Sequence, residues 1–219
     1  MNLRGVRILR YAAILGICVL AGFYAGRLAF PPQDDLPQIT PQLLTGAATS
    51  IDMPVNADAI GARPETLPDI RLTDLQGVQH AIAEWSDGPL LINFWATWCA
   101  PCLREMPLLE AAWTERRDTQ LTVVGIAVDR TDAVAPYVEK TGVTYPILVG
   151  QSDAMKAAES FGPGFAGLPY TVFVAAGGRI VGAHAGELHA PELERILNLL
   201  SAASAGTISI EEARARLPE

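Results

Sequence analysis

Apolar residues fall along the chain in two rhythms: short continuous runs, and stretches where they recur every three or four positions. The first rhythm suits buried strands and the second suits one face of a helix. The run Leu90–Trp95 passes through the turn residues Ala96–Trp98 into Leu103, Met106, Leu109 and Ala112 at helical spacing. This predicts a buried strand handing over to a helix from Ala100 to about Arg117. Upstream, Ile70–Thr73 and Val78–Ile82 read as short strands joined by the turn signal Asp74-Leu75-Gln76-Gly77. Downstream, the apolar run Leu121–Val128 suits a central parallel strand. Asp132–Thr141 and Ser152–Phe161 are predicted as helices, with an extended piece at Tyr145–Val149 between them. Tyr170–Ala175 and Ile180–Ala183 flank Ala176-Gly177-Gly178-Arg179 and read as a hairpin. Pro191–Ala202 is an amphipathic helix, and Ser209–Leu217 adds a further turn or two. Strands alternating with helices and closed by a hairpin predict an α/β domain with a mixed sheet.

The first sixty-three residues break this alternation in two ways. Arg4, Arg7 and Arg10 precede an uncharged run from Tyr11 to Gly26, followed by Arg27. With the flanking apolar residues the run is long enough to span a bilayer if the arginines snorkel, and the basic bias puts the N-terminus in the cytoplasm. Residues 1–30 therefore read as an uncleaved signal-anchor, with a cleaved signal peptide as the rival reading. In either case the chain beyond residue 30 is exported. Cys18 reads as a small buried hydrophobe in that span. Residues 31–63, rich in Pro, Gln, Thr, Asp and Ala, read as an extended linker.

The net charge of −8 is unevenly placed. Four of the sixteen basic residues and none of the twenty-four acidic ones lie before position 31, which leaves −12 on the rest. An acidic domain argues against nucleic acid as a partner. Three cysteines are too few for a disulfide framework in 219 residues, so a close pair plus Cys18 reads as a redox motif.

Cys99 and Cys102 sit where the strand meets the helix. Their sulfurs lie near unpaired backbone N–H groups and the positive end of the helix dipole, which favours the nucleophilic thiolate. Two intervening residues let the pair bond, and Pro101 is tolerated in a first helical turn. A zinc site lacks further ligands at the right spacing, haem attachment lacks a His at 103, and a structural disulfide closing so small a loop would stabilise little. Trp98, at the rim of the turn, suits a wall for a docking peptide. Glu105 is one helical turn past Cys102 and can approach the pair, although an exposed first-turn acid is the other reading of that spacing. His80, His184 and His189 share no ligand spacing with the cysteines, and no metal or cofactor is expected.

The stretch Asn93-Phe94-Trp95-Ala96-Thr97-Trp98-Cys99-Ala100-Pro101-Cys102, with Glu105 and Pro107, resembles the TlpA/ResA-like membrane-anchored thiol–disulfide oxidoreductases of the thioredoxin superfamily. A second match lies at Gly167-Leu168-Pro169-Tyr170-Thr171-Val172-Phe173. The resemblance, which runs from about Pro64 to Leu200, implies a thioredoxin-like fold with a mixed central sheet flanked by helices. The domain is placed at residues 64–205, and the pattern at Ser209–Leu217 gives a C-terminal helical extension over 206–219. The resemblance also implies a redox-active Cys99–Cys102 disulfide. Asn93 stands where thioredoxin has a buried Asp, and Glu105 matches the Glu that ResA-like proteins carry. Leu168 and a cis Pro169 would face the pair and present backbone to a substrate chain.

The expected activity is reduction of disulfides in apocytochrome c or respiratory copper-site proteins, in the periplasm. The partners implied are protein substrates with disulfides or thiols, and an integral-membrane thiol-reducing transporter as electron donor. A disulfide oxidase or isomerase is the alternative within the class; a copper(I) metallochaperone is the alternative outside it.

Overall fold

The computed structural model describes residues 63–217. The expected anchor over 1–30, and the expected linker over 31–63 apart from Arg63, lie outside the described residues. Among those described, no helix is long and apolar enough to cross a membrane.

The elements run β1 (Arg71–Asp74), β2 (Gln79–Ala81), β3 (Leu90–Trp95), α1 (Ala100–Glu115), β4 (Thr122–Val128), α2 (Thr131–Thr141) and β5 (Ile147–Gly150). They continue with α3 (Ser152–Glu159), β6 (Tyr170–Ala175), β7 (Arg179–Ala185), α4 (Ala190–Ser204) and α5 (Ile210–Ala215). The seven strands form one sheet in the order β2-β1-β5-β4-β3-β6-β7. The central β3, β4 and β5 are parallel, and the flanking strands are antiparallel to their neighbours.

All six residues of β3 are buried, because helices cover both faces of the sheet. Successive side chains point to opposite faces. Leu91 and Trp95 join Met106 and Leu109 of α1, Leu193 and Ile196 of α4 and Ile210 of α5 in one apolar layer. Leu90, Ile92 and Phe94 join Ala154 and Ala158 of α3 and Phe161 in the other. Burying each large aliphatic or aromatic side chain is worth roughly 1.5–3 kcal/mol, so these two layers hold the site's supporting strand firmly. The same alternation puts Asn93 on the face that α1 covers.

Several boundaries differ from those the pattern predicts, for local reasons. Helix α1 stops at Glu115, and a 3-10 turn at Arg117–Thr119 follows. Strand β5 begins at Ile147 rather than Tyr145, since Pro146 has no N–H for a ladder. Instead its carbonyl accepts from Gly125 N–H at 2.9 Å. Ile82 starts a 3-10 turn instead of ending β2, and the Glu84 carboxylate accepts from Ala81 N–H at 2.8 Å to cap it. Helix α2 ends on Gly142, whose φ of +72° is the left-handed conformation that glycine adopts freely. In the segment after residue 206, Ile210 and Ala213 are buried against the core. From the same helix, the Arg214 guanidinium donates to the Ile180 carbonyl of β7 at 2.8 Å.

In register, Asn93 lies between Gly125 of β4 and Thr171 of β6. A Cβ at Gly125 would fall 2.7 Å from Ile147 Cδ1 and 3.1 Å from Trp95 Nε1. Gly125→Ala is therefore expected to lower stability by about 1–3 kcal/mol through overpacking, read as a drop in the thermal midpoint.

Candidate active site

The end of β3 delivers the chain into the turn that carries the cysteines. Thr97 fastens that turn, its N–H and hydroxyl both donating to Asp129 Oδ2 at 3.1 and 2.5 Å. Burial alone would raise the Asp129 pKa, but the Thr97 hydroxyl and the N–H groups of Arg130 and Thr97 hold the carboxyl below the usual range. Cys99 is the N-cap of α1, and its Sγ accepts from Cys102 N–H at 3.3 Å. Pro101 sits in the first turn, where no intrahelical N–H is required of it. The two cysteines form a disulfide with Cα atoms 5.3 Å apart. Cys99 retains 6% of its surface and Cys102 none, so Cys99 is the sulfur a partner can reach.

One turn further along α1, Glu105 is 1% exposed. Its two oxygens meet donors: Asn93 Nδ2 reaches Oε1 at 2.8 Å, and Leu188 N–H reaches Oε2 at 2.8 Å. Asn93 Nδ2 is itself shared with Thr171 Oγ1 at 2.9 Å. Burial pushes the Glu105 pKa up to about 7. The donors from Leu188 and Asn93 oppose that rise, and the nearby charge of Glu187 adds to it. A buried carboxyl that changes charge near neutrality, beside a disulfide, is equipped to take and return a proton.

Trp98 is 68% exposed at the rim of the turn. The Leu168–Pro169 peptide is cis, as the resemblance implies. Asn93 pairs with Thr171 and Phe94 with Tyr170, so Pro169 lies just ahead of β6 at the level where β3 runs out toward the cysteines. Leu168 packs, partly buried, against the apolar cluster that contains Cys99 and Cys102. The structure thus gathers Trp98, Cys99, Pro101, Cys102, Glu105, Leu168 and Pro169 at the ends of β3 and α1 and the entry to β6.

In the sequence Asn93 marks the place of a missing acid; in the structure it is the donor that holds Glu105. Thr171 and the Leu188 N–H were not foreseen. Thr171 lay inside a quoted motif, but only the sheet register shows that it faces Asn93. Leu188 contributes a backbone group that no side-chain pattern marks. The histidines stand apart: His80 lies between Asp74 and Glu84, and His184 Nδ1 is 3.1 Å from Glu192. Among the described residues, no group of three or more His, Cys, Asp or Glu is arranged to hold a metal ion.

A helix N-terminus bearing a CxxC disulfide, set against a cis proline on a mixed sheet, is the arrangement of a thioredoxin-like thiol–disulfide oxidoreductase. The comparisons with known proteins agree, and the chain belongs to the AhpC/TSA family, which it matches over residues 64–183. Thiol-disulfide oxidoreductase ResA of Geobacillus kaustophilus (strain HTA426) is 30% identical over 142 residues, 64% of this chain and 78% of that protein. ResA of Geobacillus thermodenitrificans (strain NG80-2) is 30% identical over 126 residues, 57% of this chain and 68% of that protein. Among solved structures, a thiol:disulfide interchange protein of the thioredoxin family from Chlorobium tepidum TLS aligns with a TM-score of 0.57 at 25% identity. That alignment covers 64% of this chain and 98% of the other.

Because the folded-state pKa of Glu105 lies above its ordinary 4.5, its contribution to stability is complete below about pH 4.5 and is lost as pH rises through about 7. The stability of wild type relative to Glu105→Gln should therefore fall by about 3 kcal/mol between pH 4 and pH 8, given the rise from 4.5 to about 7. Chemical denaturation of both proteins across that range checks this.

Proposed function

We propose that this oxidoreductase works as a reductant of protein disulfides, with Cys99 as the attacking sulfur, Cys102 as the resolving sulfur and Glu105 as the proton carrier. The observation that carries the reading is the buried Glu105 carboxyl one turn past Cys102, held at both oxygens by donors. A carboxylate there disfavours a thiolate on the neighbouring cysteine. The strong oxidants of this chemistry stabilise their reduced, thiolate form; an acid beside the pair acts in the opposite sense and favours the disulfide over the dithiol. A pair that prefers to be oxidised is a good donor of electrons. The Arg104 guanidinium on the same turn is held by Glu187.

In the working direction the Cys99 thiolate attacks one sulfur of the substrate disulfide. The S–S bond breaks, the other substrate sulfur leaves as a thiolate, and a mixed disulfide forms. Cys102 then gives its proton to the Glu105 carboxylate and attacks Cys99 Sγ. The Cys99–Cys102 bond forms, and the second substrate sulfur leaves with both electrons. The exposed Trp98 and the Leu168–Pro169 backbone supply the surface on which an extended substrate segment rests. One two-electron oxidation of the enzyme matches one reduction of the substrate, so an outside dithiol must restore the pair.

We assign residues 1–30 as a single-pass anchor in a bacterial cytoplasmic membrane, with the N-terminus inside and the redox domain in the periplasm or outside. In that setting disulfides form readily, and a dedicated reductant has work to do. The substrates are apocytochrome c or respiratory copper-site proteins, and the restoring dithiol belongs to an integral-membrane thiol transporter. The basic residues ahead of the apolar run and the resemblance to ResA-like proteins support this assignment.

The reduction potential of the full chain, equilibrated against glutathione or dithiothreitol, is expected near or below roughly −270 mV; a value towards roughly −120 mV would reverse the direction. Alkylation of reduced Cys99 should show a pH step reflecting Glu105. Glu105→Gln should remove that step, and an unchanged profile would reject Glu105 as the proton carrier.

A further inference from the structure

Three consecutive residues of the loop between β7 and α4 each reach a different part of the site. Gly186 N–H donates to the Pro169 carbonyl at 2.9 Å. Glu187 receives the Arg104 fork, with Nε at 3.1 Å from Oε1 and 3.0 Å from Oε2, and Nη2 at 2.5 Å from Oε2. Leu188 N–H donates to Glu105 Oε2 at 2.8 Å. The φ of Gly186 is +119°, a conformation that a side chain would strain. Arg104 and Glu105 are neighbours on α1, and Glu187 and Leu188 are neighbours on the loop. Two adjacent rungs therefore join the same two segments: an ionic one at the surface and a neutral-donor one in the core.

We infer that Arg104 and Glu187 are a positioning pair for the active site, the outer rung that holds Leu188 N–H on Glu105 and the loop on Pro169. The inference rests on the proposed role of Glu105 as proton carrier. Exposed ion pairs usually contribute little, but a forked guanidinium–carboxylate contact fixes orientation as well as distance. Orientation is what the inner rung needs, since a hydrogen bond weakens steeply when its donor angle bends away from linear.

The groups that face Glu105 are few. Asn93 on β3 donates to it, with Thr171 of β6 behind Asn93. The loop brings Leu188 N–H and the Glu187 charge, with His189 beside Glu187. Tyr145, ahead of β5, senses the Glu105 charge, and Cys102 and Arg104 lie on its own helix. In the oxidised protein Cys102 does not titrate, so the proton affinity of Glu105 can be followed alone.

Charge and position predict opposite signs. Glu187→Met removes the negative charge near Glu105 together with the fork, and leaves Arg104 positive. If Glu187 acts only through its charge, its loss makes Glu105 easier to ionise and lowers the midpoint. If the pair positions the loop, the Leu188 bond to the carboxylate weakens and the midpoint rises. The test uses the oxidised full chain, with the Glu105 carboxyl followed by carbon-13 NMR and the Leu188 amide by hydrogen exchange. Glu187→Met is expected to raise the midpoint by roughly half a pH unit. It should also speed Leu188 exchange by about tenfold or more. A midpoint that stays or falls, or an unchanged Leu188 exchange rate, overturns the inference. Both readouts come from the disulfide form, so they are independent of thiol reactivity. Failure of Glu105 as proton carrier would show instead in the alkylation profile of Glu105→Gln.

Discussion

The constraint on which this active site depends is the burial of one carboxyl group among apolar side chains. Removed from water, Glu105 resists ionisation; surrounded by N–H donors, it resists staying neutral. The result is a pKa of about 7, between the two extremes. Neither influence alone would give a carboxyl that changes charge near neutrality. An exposed Glu would be ionised at every relevant pH, and a buried one without donors would remain an acid.

Holding that balance requires parts from distant segments, and the sheet supplies the alignment. The two-residue alternation of β3 turns Asn93 toward α1. Gly125 on β4 leaves room beside Trp95, and Thr171 on β6 steadies the Asn93 amide. Asn93 Oδ1, by contrast, is buried without a hydrogen-bond partner. A buried acceptor left open is costly, and it is tolerated here at the centre of the chemistry, where strained or unsatisfied groups tend to be kept.

Much of the fold was readable in the amino-acid pattern because the central elements are extreme cases. Leu90–Trp95 and the α1 face repeat their periods without ambiguity, and the Cys99–Cys102 spacing names its chemistry. Boundaries moved where a local backbone effect outweighed the side-chain pattern, as at Pro146 and in the short turn that begins at Ile82. The position of Glu105 followed from helical spacing, but its environment did not. Asn93 was read by what it replaces, because a pattern along one strand says nothing of what another element presents to it. Leu188 acts through an N–H group that every residue except proline possesses. Contacts made by the backbone, or across seventy-eight positions as between Asn93 and Thr171, belong to the tertiary structure alone.

That separation bears on how the protein is made. The two cysteines leave the ribosome well before Thr171 and Leu188, and pairings between remote strands form late because the intervening chain must first be closed. A nascent chain carrying Cys99 and Cys102 without β6 or the β7–α4 loop lacks the Thr171 hydroxyl and the Leu188 N–H that support Asn93 and Glu105. Its thiols are open to pairing with whatever is near. The part of the motif's proton chemistry that rests on Glu105 thus depends on residues made after the cysteines themselves.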